Sequence, residues 1–188
     1  MKNIKTFLLT GALVMVASLS QAQDLDLFKI KVASDSKSIS ENSAIISAIK
    51  AQNAKHAGLD EAAIIALDKA WRTEVKTDAH VKVAEVLNNA ASAELVAIKD
   101  GNDGEYGEIF VMDNKGLNVA MSDITSDYWQ GDEAKWKETF LKGSGATHVS
   151  EVKFDESVQA FTAQLSSTIT DPETGEAIGA VTFGVIME

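Results

Sequence analysis

The sequence predicts an α+β fold: three helices, two strands, a helix and three further strands forming an antiparallel sheet of about five strands. Three observations carry this. The first half repeats apolar residues every three or four positions, whereas runs of the second half alternate with a period of two. The loop Asp100-Gly101-Asn102-Asp103-Gly104-Glu105 marks the change between the two. Asp171-Pro172-Glu173-Thr174-Gly175 is a hairpin turn whose proline, the only one in the chain, sits early, where its fixed φ fits.

Taken in order, the chain opens with a targeting pattern. Lys2 and Lys5 precede an apolar run from Phe7 to Leu19, and Ser20-Gln21-Ala22 has the small-x-small form of a cleavage site. A signal peptide over 1–22, cut before Gln23, is therefore expected. The apolar run is short for a membrane span and ends in polar residues, which disfavours an uncleaved anchor. No cysteine stands at the cleavage site, so a cysteine-linked lipid anchor is excluded. The expected mature chain, 23–188, has 166 residues, enough for one core. It divides into a helical part, 24–99, and a sheet part, 105–188.

Cleavage removes two of the 17 Lys and Arg residues, leaving 15 against 28 acids and moving the formal charge from −11 to −13. That surface argues against nucleic acid and anionic membranes as partners. With no cysteine in an exported chain, neither disulfides nor thiol chemistry is available.

The first helical segment runs from Asp24 to about Lys55, with Ile39, Ala44, Ile45, Ile46, Ala48 and Ile49 on its buried side. His56-Ala57-Gly58 ends it. A second helix covers about Asp60 to Val75, with Ile64, Leu67, Trp71 and Val75 buried and acids in its first turn. Core packing is the expected role of Trp71, with a partner surface beside Arg72 as the other. A third helix is expected after a Thr77-Asp78 cap, burying Val83, Val86, Leu87, Ala90, Ala91 and Leu95.

Beyond the loop, Ile109 to Met112 forms a strand, Asp113-Asn114-Lys115-Gly116 a turn and Leu117 to Ser122 a second strand. An amphipathic helix is expected next, with Asp127 and Gln130 as a capping-box variant. Trp129, Glu133, Trp136 and Phe140, spaced 4, 3 and 4, would share one face of it. Gly143-Ser144-Gly145 exits into a strand over Thr147–Val152. A long alternating strand follows over Val158–Thr170 and the last over Ala177–Met187, where Gly179 and Gly184 suggest close packing or a bulge.

These residues resemble a family. The turn-flanked strands Ile109–Val119, the segment Ser126-Asp127-Tyr128-Trp129-Gln130-Gly131-Asp132-Glu133 and the stretch Asp171–Val185 are similar to bacterial extracytoplasmic PAS-like sensor domains of the Cache (PDC) type. The resemblance implies a five-stranded antiparallel sheet, a long N-terminal helix, and a small-ligand pocket between the sheet and the segment Ser122–Trp136. It implies ligands such as amino acids, amines or small organic acids. Such domains normally sit between membrane helices of a chemoreceptor or kinase. This chain ends at Glu188 after its last strand, so a free-standing periplasmic version acting in trans on another envelope protein is expected. The resemblance also brings in a homodimer, because the long N-terminal helices of such domains often pack in pairs.

The expected ligand-binding residues are Ser122, Asp123, Tyr128, Trp129, Asp132, Glu133 and Trp136. Aromatic faces and a partly desolvated carboxylate favour an ammonium group. The alternative is that the aromatic stripe is simply core, in an envelope interaction or structural protein that binds no ligand. Asp123, Asp127, Asp132 and Glu133 are also oxygen donors suited to calcium, although clustered acids in an acidic protein usually form a solvated face. His56, His80 and His148 lack zinc spacing and no nucleophile elbow is present, so neither catalysis nor a cofactor is expected.

Overall fold

The computed structural model describes residues 26–77, 80–155 and 159–187. The expected signal peptide, Asp78 and Val158 lie outside them. Among the described residues no helix is long and apolar enough to cross a membrane.

The chain's polar side chains cut its helices more finely than apolar spacing predicts. The first segment forms two helices, α1 over 26–41 and α2 over Ser43–Lys55. Between them the Asn42 side chain accepts from the backbone N–H of Ala44 and Ile45, capping α2. Helix α3, Glu61–Val75, is capped by Asp60. The expected third helix is also two: α4 over Val81–Leu87 and α5 over Ala90–Asp100, with Asn89 capping the second. The Glu74 carboxylate accepts from the N–H groups of Lys82 and Val83, doing at α4 what a local cap would do.

Strands β1 (Tyr106–Met112), β2 (Asn118–Met121), β3 (Thr147–Val149), β4 (Lys153–Asp155), β5 (Ala160–Thr170) and β6 (Ala177–Met187) follow. They form one antiparallel sheet in the order β2-β1-β6-β5-β3, with β4 also on β5. The sheet thus has six strands: the strand expected over 147–152 ends at Val149, and a further short strand, Lys153–Asp155, pairs with β5 beyond it. Between β2 and β3 the expected long helix is only α6, Ala134–Lys137, with a 3-10 turn at Phe140–Lys142. Asp127 does not cap it; its carboxylate pairs with Arg72 of α3. Asp68, also on α3, accepts from the N–H groups of Tyr128 and Trp129, holding that segment extended.

Alternation gives the sheet two faces, each with its own core. Ile109, Val111, Val181, Phe183, Val185, Leu165 and Ile169 pack beneath α1, α2 and α5, against Val32, Ile39, Ile45, Ile49 and Leu95. On the other face Phe110, Met112 and Ala180 pack with Leu117, Met121, Trp71, Tyr128 and Trp136. Gly179 makes the strand contact close: an added Cβ would lie 2.2 Å from the Met112 carbonyl oxygen.

Candidate functional site

The aromatic residues between β2 and α6 are structural. Tyr128 is fully buried and stacked on Trp71 at 5.1 Å. Its hydroxyl has no hydrogen-bond partner among the described residues, and burial holds the phenol well above its ordinary range. The Trp129 indole N–H donates to the Lys115 carbonyl at 2.9 Å, and that of Trp136 to the Asp113 carbonyl at 3.1 Å. Both indoles thereby staple the β1–β2 turn. Trp136 also stacks on Phe140. Tyr128, Trp129 and Trp136, expected to line a pocket, are engaged within the chain: the two indole N–H groups in hydrogen bonds, and the Tyr128 and Trp136 rings in stacking.

The acids of the same stretch are dispersed. Asp123 is bound by Lys99 at 2.6 Å, Asp127 by Arg72, and Glu133 by Lys135 at 3.2 Å, while the Asp132 side chain is exposed. Three different bases pair with three of the four acids that the sequence shows as one cluster. Among the described residues no group of three or more His, Asp or Glu could hold a metal ion.

A cleft does form on this face of the sheet, displaced from the tryptophans toward β4 and β5. Its inner lobe, about 250 Å³, is lined by Glu108, Asp123, Ile124, Asp155, Thr162, Gln164 and Gly184 with Gly107. An outer lobe of about 490 Å³ shares Asp155, Thr162 and Gln164 and adds Glu133, Lys135, His148, Ser150 and Lys153 among others. Their combined size lies within the range of about 300–1,000 Å³ usual for small-ligand pockets.

Glu108 is the centre of the inner lobe. It alternates with Ile109 and Val111, so it projects to the face of Phe110, and it pairs in register with Gly184 of β6. A Cβ on Gly184 would lie 2.8 Å from the Glu108 Cγ, so the glycine leaves the space this side chain occupies. Burial pushes the Glu108 carboxyl above its ordinary value of 4.5; Lys135 opposes the shift, while Asp123 and Asp155 add to it and the Gln164 side chain, by hydrogen bonding, opposes it. Ser122 ties the wall together. Its Oγ accepts from the Ile109 N–H at 2.8 Å and donates to Asp123 at 2.7 Å. Lys135, itself buried, donates from its ammonium to the Gln130 side-chain amide oxygen Oε1 at 3.1 Å and lies 5.2 Å from the Phe110 ring centroid.

Of the expected site residues, Asp123 and Glu133 line the cleft and Ser122 supports it. Glu108, Asp155, Thr162, Gln164 and Lys135 were not anticipated. Two signals were available for Glu108: it is the one acid inside the strand Tyr106–Met112, and a glycine stands in the strand that pairs with it.

No protein-family model matches the chain, and no curated protein matches its sequence. Solved structures similar to it are sensor domains of histidine kinases and chemoreceptors. The sensor domain of the Vibrio cholerae histidine kinase DctB has 11% identity and a TM-score of 0.38, covering 93% of this chain and 57% of that one. The sensory domain of the Campylobacter jejuni chemoreceptor Tlp3 with isoleucine bound has 15% identity and a TM-score of 0.39, covering 98% and 64%. The Escherichia coli DcuS sensor domain has 17% identity and a TM-score of 0.38, covering 62% and 92%. Against several such structures this chain spans only 52 to 64% of the solved length. With likeness this distant, function is argued from the chain's own residues.

Proposed function

We propose that residues 23–188 form a periplasmic sensor module that captures a small polar molecule bearing an ammonium group in the cleft between β5, β6 and the segment 122–135, and acts in trans on another envelope protein. The observation that carries this reading is Glu108: a desolvated carboxylate in a cavity whose walls hold two more, Asp123 and Asp155. Asp123, although paired with Lys99, and Asp155 add negative charge beside Glu108, and a bound cation offsets that charge together with the desolvation of Glu108. Lys135 and His148, on the outer lobe, suit an acidic group at the ligand's other end, which favours an amino acid over a simple amine.

A second reading, an interaction protein without a ligand, is favoured by one observation. Phe154 and Phe161 form an edge-to-face pair at 5.4 Å that is about half exposed beside the short strand β4.

The deciding experiment is a thermal melt of the purified protein against amino acids, polyamines and short carboxylic acids, repeated with Glu108→Gln. A ligand at a hundred times its dissociation constant stabilises the fold by about 2.7 kcal/mol. A shift with amino acids or amines that Glu108→Gln abolishes supports the sensor reading. Silence across the panel with a cooperative melt, or binding indifferent to Glu108→Gln, sinks it.

A further inference from the structure

On the opposite face of the sheet, α1, β3 and β5 line a half-open cavity of about 550 Å³. Its walls include Val32 and Ala33 from α1 and Val149 and Leu165 from the strands. Three residues that line it, Ser36 on α1 and Ser167 and Thr168 on β5, have buried hydroxyl oxygens without a hydrogen-bond partner among the described residues, Ser36 and Ser167 standing on opposing walls, and Ser36 is only 8% exposed.

A serine inside a helix ordinarily donates to the carbonyl one turn back. On this same helix Ser38 does so to Ser34 and Ser40 to Ser36. On β5, Ser166 is bonded to Thr182. Ser36 and Ser167 depart from these local solutions, and both line the same cavity. The lysines at its rim bring no free charge, since Lys29 is paired with Asp26 and Lys37 with Glu41 on α1 itself.

An apolar cavity of this size with a few convergent neutral polar groups has the composition of a small-molecule site. We propose that it binds a neutral, mostly apolar small molecule whose hydroxyl or carbonyl group bonds the Ser36 and Ser167 hydroxyls, bridging α1 to the sheet. His148 lines both this cavity and the outer lobe of the cleft, but Ser36 and Ser167 belong to this cavity alone, and the proposal does not rest on the reading given for the cleft.

Methyl-labelled full chain, titrated with cyclohexanol and cyclohexanone and followed by NMR, tests this. Saturable shifts confined to the methyls of Val32, Ala33, Val149 and Leu165 are expected. Cyclohexylammonium and cyclohexanecarboxylate should bind more weakly. The Ser36→Ala/Ser167→Ala double variant should weaken cyclohexanol by about tenfold, while unchanged distant methyl signals report an intact fold. Ala33→Phe, at a solvent-accessible helix position, should fill the space and abolish the shifts. The proposal is overturned if the probes produce no saturable shift at these methyls, as for a cavity holding water only. It is equally overturned if charged and neutral probes bind alike, or if the double variant keeps full affinity.

Discussion

Asp113 shows how much one side chain can hold. It is fully buried at the end of β1, and both its oxygens are occupied. Oδ1 accepts from the backbone N–H groups of Lys115 and Leu117, and Oδ2 from the Gln52 amide, with His56 Nδ1 at 3.0 Å. It joins α2 to the β1–β2 turn. Asp113→Ala should cost about 3–5 kcal/mol in urea unfolding, because it strands several buried donors at once. Glu108 is the opposite case, a carboxylate the fold strains to accommodate. Its folded pKa is raised, so the folded state holds the proton more tightly. Without ligand, stability should therefore fall as pH rises from the ordinary value of 4.5 up through the raised folded value. Glu108→Gln should remove that part of the decline in melts across the pH series, whereas an unchanged profile would place the group in solvent.

Among the elements, the segment between β2 and β3 departs furthest from expectation. Periodicity puts Trp129, Glu133, Trp136 and Phe140 on one long helix face, yet only Ala134–Lys137 is α-helical, with a 3-10 turn at Phe140–Lys142. The backbone around Trp129 is instead drawn into an isolated bridge with Leu117, and two indole N–H groups reach the turn carbonyls. Gly116, at φ 79°, and Gly131 allow this approach, for a Cβ on Gly116 would lie 2.4 Å from the Gly131 Cα. Trp129→Ala should consequently destabilise by about 3 kcal/mol, the loss of a large packed ring and a hydrogen bond. Glu133→Gln, which touches only a half-exposed ion pair with Lys135, should stay within about 0.5 kcal/mol. Denaturant midpoints of the two variants check both; equal losses would refute the structural role given to Trp129. The apolar residues of this stretch were legible as a group, but period alone cannot distinguish one helix from an extended chain whose rings converge.

At the scale of the whole molecule, the sheet separates two cores and carries a cavity on each face. Helix α1 belongs to the first core: Val32 and Ile39 are buried there, and Asp35 accepts a 2.6 Å hydrogen bond from the Tyr106 hydroxyl. A chain beginning at Asn42 should lose about 3–6 kcal/mol, from the burial of those two side chains at roughly 1.5–3 kcal/mol each. Urea unfolding of the shortened chain measures it. Retention of full stability would mean that α1 contributes little to the core.

The sequence by itself determined the α+β class, the helices over Glu61–Val75 and near 43–55, the strand boundaries at Ala177–Met187 and the turns at Asp113–Gly116 and Asp171–Gly175. Those features are encoded locally, in apolar period and in the φ preferences of glycine and proline. The helix breaks at Asn42 and Asn89 are capped locally, by side chains that accept from N–H groups two or three residues on, whereas tertiary structure alone decided the extended path at Tyr128, the role of the tryptophans and the position of the cleft. In each case the outcome depends on a partner far along the chain: Asp68 for the backbone of Tyr128, Asp113 for the Trp136 indole, Gly184 for the space Glu108 fills. Periodicity shows which residues leave water. Which buried polar group finds which partner is settled only when the strands pair.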